Sequence, residues 1–192
     1  NQCGAIKDLT LAYSGSEWIS PTRLLLFSWT HQLYTFDLTK GELILHSLPP
    51  DQWFIISSTL IPGTEQILLS ADRLPIDLAA PTYFLLYDLQ TGQLTELSYT
   101  ALTTESYSVG VDQLLFSPDG RYFFYEGRDK RALVEFAMGQ LIAEFDNVFE
   151  AVWLNDARSL VLRSPNGVQV FDAITRQTTT LAPAALNTVI LN

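Results

Sequence analysis

A chain of 192 residues has room for one sizeable core or two small ones. Its 47% hydrophobic and 17% charged residues exclude a disordered chain, and no run nears the roughly 20 apolar residues of a membrane-spanning helix. A net charge of −10, from 21 acidic against 11 basic residues, argues against a phosphate backbone and so against nucleic acid as a partner.

Read from the beginning, the first notable residue is Cys3, the only cysteine, so no disulfide can form within these residues. A lone Cys near the start is where a bacterial lipoprotein carries its lipid. Cleavage there would fall directly before the Cys and remove Asn1 and Gln2, so an exposed thiol or an intermolecular pairing is the preferred expectation.

Residues 8–12 read as a short strand, and from there the chain repeats one unit four times, over about 9–49, 50–98, 99–146 and 147–182. Each unit holds an apolar second strand (25–28, 67–70, 123–125, 160–162) and a third strand ending near an Asp or small residue (33–37, 84–88, 133–137, 168–172). The apolar runs are those of strands covered on both faces. Anchored on Trp18, Leu60, Phe116 and Trp153, the units are spaced 42, 56 and 37 residues apart, the length of a four-stranded blade with variable loops. In that alignment Arg23 falls on Arg158, Phe36 on Phe171 and Asp37 on Asp172 without a gap. Arg121 and Glu65 take the Arg position in the third and second units, with two extra residues before Phe136 and nine before Asp88.

Turn chemistry separates the strands. Ser117-Pro118-Asp119-Gly120 follows the third unit's first strand, and Asp37-Leu38-Thr39-Lys40-Gly41 and Asp88-Leu89-Gln90-Thr91-Gly92 join third strands to fourth. Pro presets φ, Asp bonds back to the backbone, and Gly41 and Gly92 are predicted at positive φ. Residues 187–191 read as one further strand, and no helical stretch of convincing length occurs. The expected fold is all-β: about four four-stranded antiparallel propeller blades in a single domain, closed or a segment of a larger propeller.

The run Leu115-Phe116-Ser117-Pro118-Asp119-Gly120-Arg121-Tyr122-Phe123-Phe124-Tyr125 resembles the repeat of WD-like propellers of the bacterial TolB type, and the Asp-Leu-x-x-Gly turns are similar to that family's. The units carrying the resemblance span roughly residues 16–182. It implies a β-propeller and, with the missing initial Met, an extracytoplasmic (periplasmic or secreted) location, but no particular chemistry.

Catalytic constellations are missing from the sequence. His31 and His46 are the only histidines and read as surface residues; Ser14-Gly15-Ser16 is a polar loop rather than a nucleophile elbow. No His/Cys spacing suits zinc, no calcium loop or phosphate-binding Gly loop occurs, and Asp37, Asp88 and Asp172 recur at a turn position. Arg128-Asp129-Lys130-Arg131 reads as a solvated loop. We therefore expect no enzyme, cofactor or metal.

The two longest insertions, 71–82 and 98–109, are expected side by side on one propeller rim, where long loops on a rigid scaffold carry binding. Arg73, Leu74, Ile76, Tyr99, Leu102 and Tyr107, with Leu78, and Trp29 on the first unit's corresponding loop, are the candidate partner-binding residues. The plain alternative is that these loops pack over each other or cover an edge. The expected function is a non-catalytic scaffold that binds another protein, alone or as an accessory subunit of a larger assembly. The alternatives are an accessory propeller gating an enzyme domain outside this segment and a small-ligand sensor.

Overall fold

The computed structural model describes residues 13–28, 32–46, 48, 52–75, 82–99, 111–127 and 131–183. The regular elements among them are sixteen β-strands in four four-stranded antiparallel sheets. The first sheet holds β1 (Tyr13–Ser20), β2 (Arg23–Ser28), β3 (Leu33–Asp37) and β4 (Glu42–His46). The second holds β5 (Trp53–Leu60), β6 (Gln66–Arg73), β7 (Tyr83–Asp88) and β8 (Leu94–Leu97). The third holds β9 (Val111–Phe116), β10 (Tyr122–Gly127), β11 (Arg131–Glu135) and β12 (Gln140–Phe145). The fourth holds β13 (Glu150–Trp153), β14 (Ser159–Ser164), β15 (Gly167–Asp172) and β16 (Gln177–Pro183). In each sheet consecutive strands pair and none closes on itself, so the four units are propeller-like blades. The chain divides into two compact units, 1–50 with the first sheet and 51–192 with the other three. No helix among the described residues is long and apolar enough to cross a membrane. The strands predicted at 8–12 and 187–191, and Cys3, lie outside the described residues.

In the unit 51–192, alternation along the strands builds two cores from one sheet. Phe123 and Tyr125 of β10 point to the second sheet and, with Leu114 and Phe116 of β9, join its Leu68 and Phe84. Tyr122 and Phe124 point the other way and meet Trp153, Leu160, Leu162 and Phe171 of the fourth sheet. Side chains on a strand alternate between faces, so a blade covered on both sides must be apolar at every position of its inner strands. Phe123 and Phe124 are neighbours in sequence, fully buried on opposite faces, and burial stabilises each by about 2–3 kcal/mol.

The turns close as their residues dictate. Asp37 Oδ1 accepts from the N–H groups of Thr39 (2.9 Å) and Lys40 (3.2 Å), and Gly41 follows at φ 69°. Asp88 Oδ1 does the same for Gln90 and Thr91, ahead of Gly92 at φ 70°. Asp172 binds Ile174 and Thr175 likewise, although Arg176 occupies the positive-φ position in that blade. The recurring aspartates are thus turn formers. At Ser117–Gly120 the buried Ser117 hydroxyl donates to Asp119 Oδ1 (2.7 Å) and accepts from Tyr122 N (2.9 Å).

The repeat register differs from the sequence alignment at two places. Phe136 does not stand where Phe171 does. Phe136 N donates to Arg121 O as Ala173 N donates to Arg158 O, so the third and fourth blades superpose gap-free at an offset of 37 residues. Glu135 takes the place of Asp172, and the Arg121–Glu135 ion pair (3.1 Å) repeats that of Arg158 with Asp172. The sequence comparison matched aromatic to aromatic, whereas a cross-strand ion pair at fixed hairpin spacing sets the register. In the first blade Thr22, rather than Arg23, corresponds to Arg158, since Leu38 N donates to Thr22 O. The two-residue turn between Ser20 and Arg23 is shorter than the one between Trp153 and Leu160, and it shifts Arg23 by one position.

Candidate functional site

Three elements of the second sheet bring Arg73 against two aromatic rings. Trp53 opens β5, Arg73 closes β6 and Tyr83 opens β7, so all three stand at the end of the sheet where the 76–81 segment departs. Trp53 and Arg73 are directly opposite across the β5–β6 pair, and Tyr83 is opposite Ala71. Side chains two residues apart on β6 share a face, and this sets all three groups together. Trp53 and Tyr83 meet edge to face, 5.2 Å between centroids at 64°. The Arg73 guanidinium lies 5.1 Å from the Trp53 ring centroid and 5.5 Å from that of Tyr83.

A guanidinium so placed is held by the ring quadrupoles while its outward N–H groups stay in solvent. Its ion pair among the described residues is with Glu96 on β8, at 3.5 Å between two exposed side chains, a geometry worth under about 1 kcal/mol. The arrangement is therefore a fixed cation on an aromatic base with a loosely attached carboxylate beside it. Asp72, next in the chain, has its carboxyl pushed up by burial. Leu74 is half-buried and donates its N–H to Gln52 O (2.9 Å), tying the end of β6 to the segment entering β5.

Tyr99 departs from the expectation of a rim residue. It is buried between the second and third sheets, 5.9 Å from Phe84 and 6.0 Å from Phe123 between centroids. Its hydroxyl donates to Phe136 O at 2.7 Å, and burial raises its pKa. An aromatic ring beginning a long insertion has more to gain from an apolar gap between blades than from solvent, provided its hydroxyl finds an acceptor. Buried there, Tyr99 itself has no surface to offer a partner. Trp29, Ile76, Leu78, Leu102 and Tyr107 lie outside the described residues.

Sequence reasoning missed Trp53, Tyr83 and Glu96. Counting back from the Leu60–Ile67 pair sets Trp53 opposite Leu74, but a β-bulge between Ile55 and Ser57 moves it opposite Arg73. Nothing in the residues 53–57 announces that bulge. His46, expected at the surface, is half-buried, 3.0 Å from Thr35 Oγ1, and burial lowers its pKa, with Arg23 adding to the effect. Arg131, read as part of a solvated basic loop, is paired with Glu126 through Nε (2.9 Å) and Nη2 (2.6 Å); His31 and residues 128–130 are not among the described residues. Among the described residues no three His, Cys, Asp or Glu side chains converge as metal ligands. No protein-family model matches the chain, and no curated protein matches it either.

Proposed function

We propose that the chain is a non-catalytic, TolB-like propeller protein that binds a protein partner through the rim around Arg73. The observation that carries this reading is the Arg73 guanidinium seated on Trp53 and Tyr83 at the end of a rigid sheet. Trp, Tyr and Arg are the residues that most often dominate binding energy at protein interfaces. Here the scaffold holds them before any partner arrives, which lowers the entropic cost of binding. The chemistry fits a partner loop bearing a carboxylate. Such a group would displace Glu96, gain a charge-assisted hydrogen bond as water leaves, and forfeit only a weak exposed pair. A role as accessory subunit of a larger assembly fits the same surface.

Capture from the native source, with proteins identified by mass spectrometry, tests this. Wild-type protein should retain a partner that Arg73→Ala and Arg73→Glu lose, while Arg121→Ala, which removes an exposed arginine from another ion pair, retains it. Arg73→Ala should leave the melting temperature nearly unchanged, since the cation–π contacts of an exposed arginine supply about 0.5–1 kcal/mol. Equal capture by all four proteins would remove the proposal.

A further inference from the structure

In two places the chain carries Asp or Asn directly before glycine, at Asp119-Gly120 and Asn166-Gly167, and both are hairpin turns. Such a pair has a chemistry of its own. The backbone nitrogen of the second residue can attack the side-chain carbonyl carbon of the first and close a five-membered imide. Glycine favours this most, having no side chain to shield its nitrogen and the widest backbone freedom. The attack needs a side chain free to turn onto that nitrogen and a group able to leave.

The two turns differ on both counts. Asp119 Oδ1 accepts from the Ser117 hydroxyl (2.7 Å) and from Arg121 N (3.1 Å), while Gly120 N donates to Ser117 O (2.8 Å). Electrophile and nucleophile are thus each tied to other partners, and a carboxylate has no good leaving group. Asn166 is exposed at the tip of the β14–β15 hairpin, one of two residues between Ser164 and Gly167. The buried Ser164 hydroxyl accepts from Asn166 N (3.2 Å) and donates to Gly167 O (3.5 Å), so backbone alone satisfies it. Among the described residues the Asn166 side-chain amide has no hydrogen bond. Gly167 stands at φ 111°, a conformation that keeps glycine at this position.

We propose that Asn166 is a site of spontaneous covalent modification, deamidating through a succinimide to aspartate and isoaspartate. The Gly167 nitrogen loses its proton to hydroxide and bonds to Asn166 Cγ. The Cγ–Nδ2 bond breaks, and the amide nitrogen takes up a proton and leaves as ammonia. Water then opens the imide. Cleavage of the bond from nitrogen to Cγ gives aspartate. Cleavage of the bond to the backbone carbonyl gives isoaspartate, whose main chain runs through Cβ and Cγ and is longer by one atom. Either product adds a negative charge at the turn. The lengthened turn no longer sets Gly167 opposite Ser164, because hairpin length fixes register, and β14–β15 pairing in the fourth blade is loosened.

Timed incubation of the intact chain at neutral and mildly alkaline pH tests this, read by tryptic digestion and mass spectrometry with fragmentation that separates isoaspartate from aspartate. Peptide 164–176 should gain about one dalton, at a rate that rises with hydroxide concentration. That rate should lie within about tenfold of the rate in urea-unfolded protein, because a hairpin tip opens at little free-energy cost. Isoaspartate should be the main product, and the linkage at Asp119 should stay unchanged. Asn166→Gln should stop the gain in mass at the wild-type thermal midpoint, since its longer side chain closes a ring far more slowly. If Asn166→Gln fails its melt, Asn166→Ser replaces it. A folded-state rate below the stated range overturns the inference, as does isoaspartate forming at residue 119 to the same extent as at 166.

Discussion

The first and fourth blades carry one row of residues in two environments. Trp18, Leu24 and Phe36 match Trp153, Leu160 and Phe171 strand for strand, yet only the second set is buried. Trp153 packs in the core between the third and fourth sheets, and Trp18 is exposed. Cross-strand pairing and residue type agree along this row in the two blades, so neither confers burial. Burial comes from the sheet laid alongside, and the energetic role of a repeat position depends on its neighbour rather than on its own strand.

Truncating each tryptophan probes the comparison where the expected effect is largest. Trp153→Ala should cost about 3–5 kcal/mol, through lost packing and the lost indole bond to the Leu115 carbonyl. Trp18→Ala should cost under about 1 kcal/mol, as surface changes do. Urea melts giving equal losses at the two sites would show that the exposed row is covered in solution and end the contrast.

Glycines sharpen the same contrast at the hairpin turns. Gly41 and Gly139 are both at positive φ, but a Cβ on Gly41 meets nothing, whereas one on Gly139 would enter the Tyr99 ring. Gly41→Ala should therefore cost about 1 kcal/mol, for the left-handed backbone alone. Gly139→Ala should cost about 3 kcal/mol, because Tyr99 must leave a filled gap between two sheets. Denaturant midpoints with unchanged slope would report both. Equal costs would mean that Tyr99 yields easily and is less firmly held than its burial indicates.

A smaller effect separates the turn aspartates. Asp172 is held far below the ordinary carboxylate range, first by the Arg158 guanidinium and then by the N–H groups of its turn. Asp37 is lowered chiefly by the Thr39 hydroxyl, with Thr22 at the register that Arg158 fills in the fourth blade. A carboxylate whose pKa is depressed on folding contributes stability that is complete above its unfolded value, near 4, and disappears as pH falls through the folded value. Stability should thus decline on acidification below about pH 4, with the part due to Asp172 among the last to be lost. In a carboxyl-carbon NMR titration, Arg158→Ala should raise the Asp172 midpoint and leave that of Asp37 in place. A shared shift would mean that the two turns are coupled.

The smallest effect concerns Ser70. Its hydroxyl is buried in β6 and, among the described residues, is the one buried side-chain polar group without a hydrogen-bond partner. Ser70→Ala should therefore leave the thermal midpoint unchanged or raise it slightly, since no bond is lost and a desolvated hydroxyl is removed. A clear drop would identify an acceptor that pairs with it.

Much of this molecule is legible in the residues themselves. Runs such as Phe123-Phe124-Tyr125 announce strands covered on both faces, because adjacent apolar residues on a strand point opposite ways. Asp37 with Gly41 and Asp88 with Gly92 announce turns, because carboxylate-to-backbone bonding and positive φ are local properties. The four-blade pattern follows from such signals. The positions left to tertiary structure are those where distant segments meet. The bulge at residues 55–57 sets Trp53 against Arg73, a gap between two sheets draws Tyr99 inward, and an ion pair gives Glu135 the place of Asp172. Local chemistry fixes a strand and its turn, but the partner of a side chain depends on register and on the neighbouring sheet, which a sequence pattern with period two leaves open.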